Sequence, residues 1–273
     1  MKKIYLDYAA ATPMALVVAK AMEPYLTKQF YNPSAQYLAA KQVAQAVATA
    51  RQQIAQWLGA RPSEIIFTAG GTEANNLAIQ GIMQQFPRAN LVVSAIEHEA
   101  VLMPARRYKH HLAPVRADGV VNLAALDKII DQHTVLVSII YANNEIGTVE
   151  PLKQIAELLQ RIRDQRRQVG HTLPLYFHTD ACQAAVYLDL HTSRLGVDLM
   201  TLNAGKLYGP KQCGALYVKT GVELLPQIVG GGQERGLRSG TENVANIIGL
   251  ATALNLVQTQ RRAEAGRLSH LQR

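Results

Sequence analysis

Apolar positions along this chain switch between two periods. Val43, Val47, Ala50, Ile54 and Trp57 recur every three or four residues, which places them on one helical face, and Gly59 follows as a stop. Glu64-Ile65-Ile66-Phe67-Thr68 is short, β-branched and aromatic, and reads as a strand. Gly70-Gly71-Thr72 then turns the chain into a helical pattern through Leu77 and Ile79. Leu91-Val92-Val93-Ser94 predicts a strand, followed by a helix containing Val101 and Leu102. Val135 to Ile140 predicts a buried strand, and Ile155, Leu158, Leu159 and Ile162 mark the helix after it. Three further strands are expected: one ending at Asp180, one over Val197 to Leu202, and one over Ala215 to Val218. Val244 to Gln258 reads as an apolar helix, and Arg261 to Arg273 continues it with high charge and no cap, as an interrupted helix.

Strands alternating with helices predict an α/β fold, a mostly parallel sheet with helices on both faces. Ligands of such sheets bind beyond the carboxyl ends of the strands. Thr72, His98, Asn143, Asp180 and Lys206 all fall at such ends, and their convergence says more than any one of them. The chain shows no internal repeat and no low-complexity segment.

Composition narrows the class. Of the 273 residues, 48% are hydrophobic and only 18% charged, enough for a substantial core and unlike a disordered chain. The apolar run that follows Lys2 and Lys3 breaks at Asp7, so no signal-peptide core forms, and no stretch nears the roughly 20 apolar residues of a membrane span. A soluble, cytoplasmic protein is expected. The formal charge of +8 is concentrated in Arg161, Arg163, Arg166 and Arg167, and in Arg106, Arg107 and Lys109. Basic clusters can bind nucleic acid, but little aromatic interleaving and no nucleic-acid module accompany these. Cations at helix C-terminal ends also answer the helix dipole. Cys182 and Cys213 have neither metal-site nor disulfide-framework spacing, and read as small buried thiols. His110-His111 has no carboxylate partner at helical spacing, so no metal site is expected.

The chemistry centres on Lys206 and Asp180. Each follows an apolar run, and a lysine and an acid at two strand ends are what pyridoxal 5'-phosphate requires. The lysine takes the aldehyde as a Schiff base, and the acid keeps the pyridine nitrogen protonated. Gly70-Gly71-Thr72 between strand and helix can cradle a phosphate on free helix N–H groups, although Gly-Gly-Thr is also ordinary turn chemistry. It is neither a Walker A loop nor the dinucleotide fingerprint. His98 could stack on a cofactor ring and move protons. The loop Gly230 to Thr241 is rich in glycine and arginine, a composition that lets backbone and guanidinium reach an anion.

Taken together, several segments resemble the cysteine desulfurases of the NifS/IscS type, in the class-V aminotransferase group of fold-type I pyridoxal phosphate enzymes. They are Tyr5 to Pro13, Asn32-Pro33-Ser34, Ile66 to Asn76, Glu97-His98, Asn143 to Gly147, His178 to Gln183, Lys206 to Lys211 and Arg235 to Thr241. Their order and spacing match along essentially the whole chain.

The resemblance implies a function: L-cysteine is taken to L-alanine, and the sulfur passes to an enzyme cysteine as a persulfide for iron–sulfur clusters or thiolated tRNA. It implies that Lys206 holds the cofactor and moves the Cα proton, Asp180 pairs with the pyridine nitrogen, and Gln183 bonds the phenolate oxygen. His98 stacks on the ring, Gly71 and Thr72 bind phosphate, and Asn143 lies near cofactor and substrate. Thr241 reaches the phosphate of the partner in a homodimer, and an iron–sulfur scaffold receives the sulfur. The family usually has serine and histidine three and one residues before the lysine; here they are Asn203 and Gly205. Residues 1–15 are expected to belong to a small domain, 16–255 to the large cofactor-binding domain, and 256–273 to the start of an interrupted helix leading back to the small domain. The family's mobile loop with its catalytic cysteine, and its substrate-carboxylate arginine, have no counterpart in the sequence. That suggests a chain truncated at its C-terminus, with the small domain largely missing. A cofactor-binding fragment without turnover, or another class-V enzyme such as a selenocysteine lyase or an aminotransferase, is the alternative expectation.

Overall fold

The computed structural model describes residues 4–271. In chain order the helices are α1 (Leu16–Thr27), α2 (Leu38–Leu58), α3 (Gly71–Met83), α4 (Glu99–Ala105), α5 (Leu123–Ile129), α6 (Leu152–Gln168), α7 (Thr192–Leu195) and α8 (Val244–Leu271). The strands are β1 (Ile65–Thr68), β2 (Asn90–Ser94), β3 (His110–Ala113), β4 (Thr134–Ser138), β5 (Tyr176–Asp180), β6 (Leu199–Asn203) and β7 (Gly214–Val218). Among the described residues they form one seven-stranded sheet in the order β1-β7-β6-β5-β4-β2-β3. Neighbours pair in parallel except at β7, which runs against both β1 and β6. The expected mostly parallel sheet is therefore present.

Alternate residues of each strand feed two apolar layers, the pleat period at work. Leu91, Val93, Leu136, Leu199 and Leu216 pack with Leu77, Ile82 and Val101 of α3 and α4. Val92, Val137, Phe177, Met200 and Tyr217 pack on the opposite face with Val47, Ile54, Ile155 and Leu254. Burial on both sides is why the strands read as nearly continuous apolar runs. α8 is one continuous helix lying against α1 and α2, so the apolar and charged halves seen in the sequence are a single element. No helix among the described residues is long and apolar enough to cross a membrane.

The glycine- and arginine-rich loop closes the β1 edge. Glu234 accepts two bonds from Arg51, each 2.7 Å, and one from the Phe67 N–H at 2.8 Å, while Arg235 donates to the Ile65 carbonyl at 3.0 Å. Arg238 pairs with Glu73 at 2.8 Å. The arginines expected to meet an anion are thus spent on a strand edge and on the first turn of α3. An open edge of N–H and C=O groups is an aggregation template, and this loop covers it.

Candidate active site

The carboxyl ends of the parallel strands open into a cavity of about 440 Å³. Gly71, Thr72, His98, Asp180, Gln183, Asn203 and Lys206 all line it, so seven of the nine sequence-derived positions meet in one place. Asp180 is the last residue of β5, and Lys206 sits in the 3-10 turn that follows β6. The parallel β5–β6 pairing brings these ends side by side.

Asp180 is 5% exposed and held from two sides. Asn75 of α3 donates to its Oδ2 at 2.6 Å, and the Cys182 N–H donates to Oδ1 at 2.9 Å. Asn75 is fully buried, and its own Oδ1 has no partner. α3 begins here: Gly70 at φ 143° delivers the chain, and no side chain caps the helix start. Its first N–H groups and its dipole therefore face the cavity beside Thr72. Gly71 has to be glycine for packing reasons, since a β-carbon would lie 2.7 Å from Cys182 Sγ and 3.3 Å from Asn203 Cβ.

His98 caps α4. Its Nδ1 accepts from the Ala100 N–H at 3.0 Å, which puts the proton of the neutral ring on Nε2. Directly before it, Glu97 is buried and accepts from the Ile140 N–H. Burial, with the Asp180 charge adding to it, holds the Glu97 carboxyl well above the usual carboxylate range. Asn203 accepts from the Gly205 N–H at 3.2 Å, and its amide nitrogen points toward the start of α3.

Lys206 Nζ donates to the carbonyls of Ala9 and Ala10, both at 2.7 Å, and the Gln183 amide donates to Ala9 at 2.7 Å. The N-terminal segment is therefore a wall of the cavity, pinned further by Thr12, whose hydroxyl donates to the Gly205 carbonyl and accepts from the Tyr208 N–H. Ala9, Ala10 and Asn75 lie within segments that carry the resemblance, but the sequence gives them no role of their own. Carbonyls carry no residue signature, and Asn75 is readable only once α3 and β5 are known to touch.

Two expected positions lie elsewhere. Asn143 does not line the cavity: its side chain donates to the Ile96 carbonyl at 2.8 Å and accepts from the Glu145 and Ile146 N–H groups. It ties two loops together, and its neighbours Asn144 and Glu145 reach the cavity instead. Thr241 is exposed and outside the cavity.

The donor set fits pyridoxal phosphate. One buried acid, one lysine, a histidine ring at the wall and an uncapped helix start supply partners for the ring nitrogen, the aldehyde, the ring face and the phosphate. Of the two cysteines, Cys182 lines the cavity and Cys213 lies behind it with Sγ 3.3 Å from the Asn246 carbonyl. Burial and the Asp180 charge push the Cys182 thiol well above the usual range, and burial pushes Cys213 up to about 12. Both are neutral thiols at pH 7.

The class-V aminotransferase family model matches residues 4–272. Cysteine desulfurase IscS of Dictyoglomus turgidum is 39% identical over 277 aligned positions, covering 99% of this chain and 68% of that protein. Among solved structures, a NifS-like protein superposes with a TM-score of 0.93 at 32% identity, covering 99% of this chain and 74% of that one. A structure described as SspA in complex with cysteine gives 0.86 at 37% identity, covering 93% and 72%. This chain, which spans about two thirds of the length of its curated relatives, belongs to the class-V aminotransferase family and, within it, to the cysteine desulfurases.

Proposed function

We propose that the chain holds pyridoxal 5'-phosphate in the Lys206 cavity and forms the cofactor-binding body of a cysteine desulfurase. The reaction takes L-cysteine to L-alanine and passes the sulfur to a thiolate as a persulfide. The observation that carries this reading is the facing of Asp180 and Lys206 across one cavity beside the uncapped start of α3.

When bound, pyridoxal phosphate supplies an electron sink for the pair left at Cα as its proton departs. This chain's residues prepare that step. Asp180, oriented by Asn75 and the Cys182 N–H, would accept from the ring nitrogen and keep a positive charge there. Lys206, released from the Ala9 and Ala10 carbonyls, carries the proton to and from Cα. Gly71, Thr72 and Asn203 would hold the phosphate, Gln183 would meet the phenolate oxygen, and His98 would stand against the ring. Asn143 acts indirectly, by fixing the loop whose neighbours touch the cavity.

Sulfur transfer needs a thiolate, because the thiol is a poor nucleophile. Cys182 and Cys213 are both neutral thiols, and Cys213 is buried as well, so neither takes the sulfur. That favours a second reading for residues 1–273 by themselves: a cofactor-binding body that loads substrate without completing desulfuration.

We further infer a cytoplasmic homodimer, with exposed Thr241 reaching the neighbouring protomer's phosphate, and an iron–sulfur scaffold as sulfur acceptor. Residues 16–255 act as the large domain, while 1–15 and 256–273 lead to a smaller one.

The test is reconstitution followed by borohydride reduction and peptide mapping. The protein should turn yellow and carry the label on the peptide containing Lys206. A label on any other lysine removes the site assignment. Alanine and sulfide measured alongside separate the two readings, and alanine formed over many turnovers by residues 1–273 sinks the second.

A further inference from the structure

A second concavity, of about 410 Å³, lies at the other end of the same strands. Tyr176 opens β5, Asp198 directly precedes β6, and Lys219 directly follows the antiparallel β7. All three line it, together with Arg163, Arg166 and Arg167 from the last turns of α6. β5 separates it from Asp180 by four strand steps, about 13 Å. It is a site apart from the Lys206 cavity.

Its charge is unbalanced. Four cations line it against one carboxylate, a formal +3, and counting Asp164, which pairs with Arg167 at the rim, and Asp131, whose charge reaches Arg166, still leaves +1. Asp198, 5% exposed, is shared between Arg163 at 2.6 Å and Lys219 at 3.1 Å, and also accepts from the Phe177 N–H. Arg166 is 8% exposed and has no carboxylate within ion-pair distance. It donates to the backbone carbonyls of Asp131, Thr134 and Pro174, and burial pushes its pKa down, opposed by the Asp131 carboxylate and aided by the Arg163 charge. His171 lines the same space, and its buried Nδ1 has no partner. The Arg166 guanidinium, whose Asp131 counter-charge lies beyond ion-pair distance, gains from an anion placed beside it.

We propose that this concavity binds a small phosphate-bearing ligand, its dianionic group held among Arg166, Arg167 and Lys219. The lining stays positive with all three carboxylates counted, which argues for an anion. Guanidinium forks suit tetrahedral oxyanions, and Gln160 and Thr172 add uncharged donors. The size argues for a small molecule, since a nucleic-acid strand needs an extended basic track. Tyr176 and Leu173 give an organic portion an apolar wall.

The test is calorimetric titration of the pyridoxal-phosphate-loaded protein, whose own phosphate cradle is then filled. Orthophosphate, pyrophosphate and ribose 5-phosphate are the probes, at low salt. One equivalent should bind saturably and weaken as salt rises. Tighter binding of ribose 5-phosphate than of the inorganic anions would identify an organic phosphate as the natural ligand, and the reverse order a free one. Arg167→Gln with Lys219→Gln should weaken binding at least about tenfold, the loss of charge-assisted bonds, with cofactor absorbance and melting temperature unchanged. Both side chains are exposed, and each single variant should show part of the same loss. No saturable heat up to about 10 mM of any probe, or equal binding by the double variant and the parent, would overturn the proposal.

Discussion

Gly71→Ala tests how tightly the start of α3 is set against the site. The added β-carbon would lie 2.7 Å from Cys182 Sγ and 3.3 Å from Asn203 Cβ. Carbon atoms in comfortable contact are about 3.5–4.0 Å apart, so the overlap with sulfur is about 1 Å. The Cys182 side chain lines the cavity and is partly exposed, but its backbone is fixed by the bond from its N–H to Asp180, so the sulfur moves only by turning its side chain. Overpacking of this kind costs about 1–3 kcal/mol, and replacing glycine by alanine in a helix returns about 0.5–1 kcal/mol. A net loss of about 1–2 kcal/mol follows, or about 2–6 °C in melting temperature for a domain this large. The informative assay is a double-mutant cycle by urea denaturation. In a Cys182→Ala background the sulfur is gone, and Gly71→Ala should cost under about 0.5 kcal/mol, a coupling of about 1–2 kcal/mol. Cofactor retention should follow the same pattern, since the displaced turn carries the phosphate-facing N–H groups. Equal losses in both backgrounds, or no loss in either, would refute the packing argument.

Other expectations follow from the same geometry. Asp180→Asn should keep the cofactor's colour but slow Cα-hydrogen exchange of cysteine in D2O by about a hundredfold, the value of one charged hydrogen bond; NMR reads the exchange, and an unchanged rate removes Asp180 from the step. Gly205 does not adopt a left-handed φ, and a β-carbon there meets nothing closer than 3.7 Å, so Gly205→Ser should fold normally and retain cofactor more tightly on dialysis. His178 is buried between the Ser138 and Thr201 hydroxyls, and burial pushes its pKa down to about 4. The unfolded chain gains that proton near pH 6.5 while the native protein does not, so stability falls as pH drops from about 6.5 to 4, by about 3 kcal/mol. Glu97, raised by burial, works in the opposite sense, so the comparison is with His178→Gln: its denaturation midpoint should change less steeply over that window, and equal slopes would count against a neutral His178.

The site and the fold were legible to different depths. Lys206, Asp180 and the Gly70-Gly71-Thr72 turn could be read directly, because strand ends and glycine turns are local features and each carries a residue type its chemistry demands. The two-sided burial of β2, β4, β5 and β6 also shows in sequence, as apolar runs too short for helices. β3 escaped notice because His110 and His111 at the sheet edge are only half buried and interrupt the apolar pattern. The reversal of β7 was implicit in the ten residues 204–213 that join it to β6, fewer than a parallel crossover needs.

By itself the sequence determined the layered α/β architecture, the family and the residue types of the cofactor site, since these rest on period, order and spacing along the chain. Only the tertiary structure decided which groups touch across it. The Asn75 bond to Asp180 needs α3 and β5 to meet, and the Lys206 bonds to Ala9 and Ala10 span nearly two hundred residues of sequence. The neutral state of both thiols comes from burial, and so does the lowered pKa of Arg166. Asn143 turned from a cavity residue into a loop tie because its amide found backbone partners close by. Period and spacing are properties of one strand of chain, whereas desolvation and contact are properties of the packed whole.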